Sequence, residues 1–204
     1  LSEGDSPTFF LLFPCFGFRT LENFGWGGIA GRYHKVADQF NSKGEPLNVW
    51  DVSRDFYTGR DGKTQELESM WPYVADIQRD FAARVDWCAK DLYDHAEHAP
   101  KLIVKEGTDV SVKPGETVTL HAEAFMKPDC GIDAELTITV SFRLYREASA
   151  ASAENALLEC GSTTAKLTVP ADALPGDELH VIVKAQAAGH YRLVRYSQVV
   201  VVVE

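Results

Sequence analysis

The chain has 204 residues, 45% of them hydrophobic and 25% charged, the balance of a folded globular protein rather than a disordered one. Its formal charge of −10 at pH 7, with an acidic excess in both halves, opposes phosphate backbones and anionic lipid surfaces, so neither nucleic acid nor membrane is an expected partner. No apolar run approaches the length of a bilayer span; Val199–Val203, a β-branched block, is the size of one strand.

In chain order, Leu1–Asp5 runs at once into the apolar segment Phe9–Phe13. There is no initiator Met and no signal peptide, and the opening reads as part of something longer. Asp5 or Ser6 followed by Pro7 is a helix start, because proline is tolerated in the first helical turn, so a helix is predicted over 5–13. Residues 14–64 read mostly as loop, rich in glycine at 25–31 and turn-like at Arg60–Lys63, and so long a loop usually carries function.

The clearest helix is predicted over 66–94. Trp71, Val74, Ile77, Phe81, Val85, Cys88 and Leu92 recur every three or four residues as one apolar stripe, with Asp80 and Arg84 paired on the polar side. Core packing is therefore expected for Trp71, Phe81 and Cys88, whereas Trp87 falls off the stripe. His95–Pro100 is the linker; His95 and His98 lack a third ligand at a recognised spacing and read as a solvated helix end.

Beyond the linker the period changes to two. Val118, Leu120, Ala122 and Ala124 alternate with polar residues, as do Leu136–Leu144 and the set Leu179, Val181, Val183 and Ala185. Lys113–Glu116 has proline and glycine where a type II turn needs them. Six to eight short strands in about 100 residues point to a sandwich. All four tryptophans lie before this region, and Tyr191, Arg192, Arg195 and Tyr196 read as ordinary outward positions. Cys130 and Cys160, both in loop-like sequence, are able to bridge in an oxidising compartment; the four cysteines form no zinc spacing.

Five stretches carry a resemblance: Glu3–Phe9, Trp26–Tyr33, Asp80–Trp87, Val112–Leu120 and Leu167–Asp172. In order and spacing they resemble the Sde-type cellulose-binding, nucleoside-hydrolase-like family, whose members carry an immunoglobulin-like domain at the carboxy end. The resemblance implies an α+β chain overall. Residues 1–98 would be the C-terminal end of a nucleoside-hydrolase-like α/β domain, built of helices and long loops. Residues 99–204 would be an immunoglobulin-like antiparallel β-sandwich.

The same resemblance implies a Ca²⁺-dependent hydrolase of glycosidic or N-glycosidic bonds, secreted or periplasmic, completed by a preceding N-terminal segment of the same protein. The aspartate cluster of such enzymes is absent here, so this chain alone is expected to be inactive and to hold no catalytic residue. Asp5 matches the family's late metal-binding aspartate and Glu3 would stand beside it at the pocket rim; equally, Asp5 caps the helix, and the two roles are compatible. Trp26, Arg32 and Tyr33, with Trp50 and more weakly Tyr57, are candidates to contact a carbohydrate or glycoside, since aromatic faces pack on sugar C–H surfaces and a guanidinium forks to hydroxyls. The bland alternative is a tight buried loop. A non-catalytic polysaccharide-binding protein with a structural sandwich is the alternative reading of the whole.

Overall fold

A computed structural model of the chain describes residues 9–13, 16–59, 61–126 and 136–204. The chain forms two compact units, one of Leu1–Pro14 with Arg19–Val74, the other of Cys15–Phe18 with Ala75–Glu204.

The first unit is built on two short antiparallel ribbons. Strand β1 (Tyr33–Lys35) pairs with β2 (Trp50–Val52), and β3 (Arg54–Thr58) with β4 (Thr64–Glu68). Two buried serines join the ribbons. The Ser53 amide donates to the Arg32 carbonyl at 2.7 Å, the Ser69 amide to the Ser53 carbonyl at 3.2 Å, and the Ser69 hydroxyl accepts from the Arg32 amide at 2.6 Å. Gly31 enters this junction with φ +86° and only 3.2 Å between its missing Cβ and the Ser69 Oγ, a place where glycine is required.

The second unit is a sandwich. One sheet has the order β5 (Lys101–Val104), β7 (Thr117–Phe125), β10 (Thr164–Thr168), β9 (Leu157–Cys160). The other has the order β6 (Asp109–Val112), β12 (Val194–Val203), β11 (Glu178–Ala187), β8 (Ile138–Leu144). The alternating apolar positions supply the core between them: Leu120 and Ala122 from β7, Leu167 from β10, Leu179, Val181 and Val183 from β11, Val199 and Val201 from β12. The turn before β7 forms as expected, with Gly115 at φ +80° and the Glu116 amide bonded to the Lys113 carbonyl at 3.1 Å.

Strands β11 and β12 are buried on both faces, for the outer face is covered too. Helix α1 (Val74–Trp87) turns Asp76 and Asp80 inward. The Asp76 carboxylate, 4% exposed, accepts from Lys184 Nζ at 2.8 Å, from the Tyr196 hydroxyl at 2.5 Å and from Arg79 at 3.1 Å. Phe18 packs on Tyr196 with ring centroids 4.8 Å apart. Gly17, at φ +85°, passes so close that an added Cβ would lie 1.9 Å from the Tyr196 carbonyl oxygen.

These observations correct the expected architecture. The described residues of the first half hold no end of an α/β domain; they contribute four short strands, and α1 is the single α-helix of more than two residues among the described residues. The protein is mostly β, with a sandwich as its principal body. Nor is that sandwich purely antiparallel, because β6 joins β12 in parallel. The long loop of 14–64 hides β1 to β3 because both faces of these ribbons are largely solvated, so no alternation marks them. The helix predicted over 66–94 is shortened by β4 at one end and by a single 3₁₀ turn, Trp71–Tyr73, that holds Pro72.

The helix also presents the other face. Trp71 is 58% and Phe81 64% exposed, and Val85, Cys88 and Leu92 are exposed as well, while Asp76, Ile77, Asp80 and Ala83 are buried. Period alone identifies an apolar stripe, but the sheet beneath offers Lys184, Tyr196 and Arg195, and it takes the carboxylate face instead. Tyr196, expected to point outward, is thus buried. His98 is buried too, rather than solvated, with Nε2 at 2.9 Å from the Tyr93 carbonyl. Of the predicted 5–13 helix, Phe9 and Phe10 are helical and the amides of Leu12 and Phe13 bond back to their carbonyls at 3.0 and 3.1 Å; residues 5–8 lie outside the described residues. Cys160 ends β9 as an exposed free thiol rather than in a loop, and Cys130 lies outside the described residues.

Candidate functional site

Within the first unit, the register of β1 and β2 decides which side chains stand together. Lys35 faces Trp50 and Tyr33 faces Val52, so these four share one face of the ribbon, while His34 and Asp51 share the other. A 3₁₀ turn, Phe24–Trp26, lies against the first face. Asn23 caps it, its side-chain oxygen accepting from the Gly25 amide at 2.8 Å. The turn brings the Phe24 ring edge-on to Trp50 at a centroid distance of 5.4 Å. Phe24 is 36% and Trp50 40% exposed, an aromatic pair held in place and open to solvent.

Trp26 is half-buried, with the Arg19 guanidinium 4.8 Å over its ring; Arg19 in turn forks onto Glu22 at 2.9 and 2.5 Å. Gly27–Gly31 are buried. Tyr33 is half-buried, its hydroxyl donating to the Ala30 carbonyl at 2.9 Å. Burial, and then the nearby Glu68 carboxylate, push this phenol above its ordinary range, so it is a neutral hydrogen-bonding group at neutral pH. Arg32 donates to Asp55 Oδ1 at 2.6 Å and to the Arg54 carbonyl at 3.3 Å; Asp55 is 1% exposed.

On the second face of the ribbon, Arg32, His34, Ser53, Arg54 and Glu66 line an open polar cleft of about 450 Å³. His34 Nδ1 lies 3.1 Å from the Ser53 hydroxyl. The arrangement offers cationic and hydroxyl donors to oxygen-rich ligands, but Ser53 has no triad around it: among the described residues no acid orients His34.

The structure thus places Trp26, Tyr33 and Trp50 around the Phe24–Trp50 face and Arg32 in the cleft behind it. Tyr57 is half-buried, its hydroxyl 3.5 Å from the Ser69 carbonyl. Glu3 and Asp5 lie outside the described residues. Among the described residues no cluster of three or more His, Cys, Asp or Glu side chains is placed to hold a metal ion. The donor set that calcium needs, several converging oxygens, is not supplied by them. Sequence reasoning missed Phe24, His34, Ser53, Arg54 and Glu66. Phe24 had a local signal, an aromatic between the capping Asn23 and Gly25, but the others come together only through the pairing of the ribbons.

Residues 117–203, which run from β7 to β12, match the family described as cellulose-binding protein Sde0182, C-terminal domain. The match covers most of the sandwich strands and less than half of the chain. The resemblance read from the sequence therefore holds for the second half of the chain. A solved structure, a nucleoside hydrolase-related hypothetical protein from Saccharophagus degradans associated with carbohydrate metabolism, superposes with a TM-score of 0.71 at 22% identity. The superposition covers 100% of this chain and 48% of that one. The chain thus spans about half the length of that protein, and at this identity the likeness is one of fold. The major pilin subunit of Bacillus cereus aligns over 78% of this chain and 50% of its own at 11% identity, with a TM-score of 0.31 that carries no argument. No curated protein matches. No helix among the described residues is long and apolar enough to cross a membrane.

Proposed function

We propose that this chain is a carbohydrate-binding part of a larger extracytoplasmic protein, and that the Phe24–Trp50 face is where it meets a polysaccharide. The observation that carries this reading is the exposed aromatic pair, fixed by the Asn23 cap and by the Lys35–Trp50 register. An aromatic ring already ordered loses little entropy on packing against a pyranose, and its neighbours Lys35 and Tyr33 add polar edges. The match of residues 117–203 to a cellulose-binding protein's C-terminal domain supports the ligand class. The strands of the sandwich carry no tryptophan, and the exposed aromatic pair lies in the first unit.

The test is retention of the whole protein on insoluble glucan. Phe24→Ala and Trp50→Ala are each expected to weaken retention about three- to ten-fold, the worth of one aromatic contact. Unchanged retention in both, or no retention of the parent on any glucan, xylan or pectin, overturns the assignment.

A hydrolytic role for the longer protein rests on the sequence around Asp5 alone. If Asp5 is a calcium ligand there, Asp5→Ala in the longer protein lowers its Ca²⁺ affinity, read by calorimetry; unchanged affinity and turnover remove that role.

A further inference from the structure

We propose that the Phe24–Trp50 face takes single glucan chains, soluble or in the disordered regions of a fibre, rather than the flat surface of crystalline cellulose, a preference that rests on the carbohydrate reading above. The observation that carries it is the angle between the rings. Phe24 and Trp50 are both exposed, with centroids 5.4 Å apart and planes at 87°.

A crystal face of cellulose is flat, and rings that grip it together have to lie in one plane, each packed on the C–H surface of a sugar. Two rings at a right angle cannot do this. When one lies on the crystal, the other stands on edge, so the crystal gains a single aromatic contact. The corner between the rings suits a lone chain instead. A pyranose laid on one ring brings its rim against the other, and a chain free of neighbours exposes both its C–H face and its hydroxyl-bearing edges. Lys35, opposite Trp50 in the ribbon and itself exposed, puts ammonium donors beside the ring, where those hydroxyls would lie. In a crystal the same edges are turned to neighbouring chains.

The corner is held in shape. Phe24 sits in a turn tied on both sides, for the Asn23 side-chain oxygen accepts from the Gly25 amide at 2.8 Å and the Asn23 carbonyl from the Trp26 amide at 3.1 Å. The turn is closely packed, since a Cβ added at Gly25 would lie 3.1 Å from that same Asn23 side-chain oxygen. Trp50 is fixed by its pairing in the β1–β2 ribbon. Bringing the two rings into one plane would forfeit their edge-to-face contact and disturb the capped turn. The neighbouring Trp26 and Tyr33 are half-buried, the first with the Arg19 guanidinium 4.8 Å over its ring, and so are poorly placed to widen either ring into a platform.

The experiment measures binding isotherms of the whole protein on microcrystalline and on acid-swollen cellulose, with cellotetraose as a soluble competitor. Comparing dissociation constants rather than amounts bound removes the difference in accessible surface. The Kd on the swollen form is expected to be about three- to ten-fold lower, the worth of the second ring, and cellotetraose displaces the protein from it. Phe24→Ala leaves one ring of the pair and brings the two constants together, mainly by weakening the swollen form; Trp50→Ala weakens both. A Kd on the microcrystalline form equal to or below that on the swollen one, or swollen-cellulose binding that cellotetraose does not displace, overturns this preference and leaves the carbohydrate reading intact. A preference undiminished in Phe24→Ala overturns it as well, because the corner is then not its source. Absence of binding to either form overturns the carbohydrate reading itself, and the preference with it.

Discussion

Asp76 shows how far a single residue's meaning depends on what packs against it. On the helix it is an ordinary first-turn acid, favourable beside the helix N-terminus. In the fold it is nearly buried and gathers Lys184, Tyr196 and Arg79 on one carboxylate. A buried ion pair is weak evidence of net stability, but removing one partner leaves the others desolvated without compensation. Asp76→Ala is therefore expected to lower unfolding stability by about 2–3 kcal/mol, somewhat less than for a fully buried pair because Lys184 remains partly exposed. Chemical denaturation measures this, and a change within about 0.5 kcal/mol, the scale of a plain surface substitution, would contradict the role.

Among the elements, the strands of the sandwich were legible because one face of each is buried, and burial on one face writes a period of two into the sequence. The alternations at Leu120 and Ala122 and at Leu179–Ala185 fall on the core as read. The ribbons β1–β4 were not legible, having no buried face to impose a pattern, and α1 was legible as a helix but not in its orientation. Of the candidate site, the individual aromatics Trp26, Tyr33 and Trp50 stood out by type, while their partner Phe24 did not, because only the packing of its 3₁₀ turn on the ribbon brings it to Trp50. The turn from β5 to β6 carries a pH-dependent link. Glu106 accepts from the His121 amide at 2.7 Å and sits 2.6 Å from the His121 ring, on β7. Burial alone would raise its pKa, but the bonds from His121 outweigh that and hold the carboxyl below its ordinary value. The unfolded chain consequently takes up this proton first as pH falls. The stability it contributes is complete above the unfolded pKa and is lost as pH drops through the depressed folded value. Glu106→Gln should lower Tm modestly at pH 7, by the worth of a partly exposed ion pair or up to about 1 kcal/mol, and the difference should vanish in acid. A difference that persists at pH 2 would refute the link.

At the scale of the molecule, the sandwich unit does not begin where the composition changes. The composition shift at Pro100 suggests cutting between 98 and 99, yet α1 and the strap Phe16–Phe18 belong to the same compact unit as the strands and cover the outer face of β11 and β12. A fragment of residues 99–204 is therefore expected to lose Asp76 from Lys184 and Tyr196 and to expose Tyr196 and its neighbours. Its Tm should fall several degrees below that of the whole chain, with increased self-association, the fate of an uncovered apolar sheet face. A monomeric fragment with the parent Tm would show that the helix and strap add nothing.

The sequence by itself determined the β-sandwich, its core positions and its turn at Gly115, because burial of alternate residues and the backbone demands of turns are local and leave local marks. Which face of the helix is inside, how the solvated ribbons pair, and that Phe24 meets Trp50, were decided only by tertiary structure. Those choices turn on partners distant in sequence, and the chemistry of a partner such as Lys184 cannot be read from the periodicity of the segment it will bind.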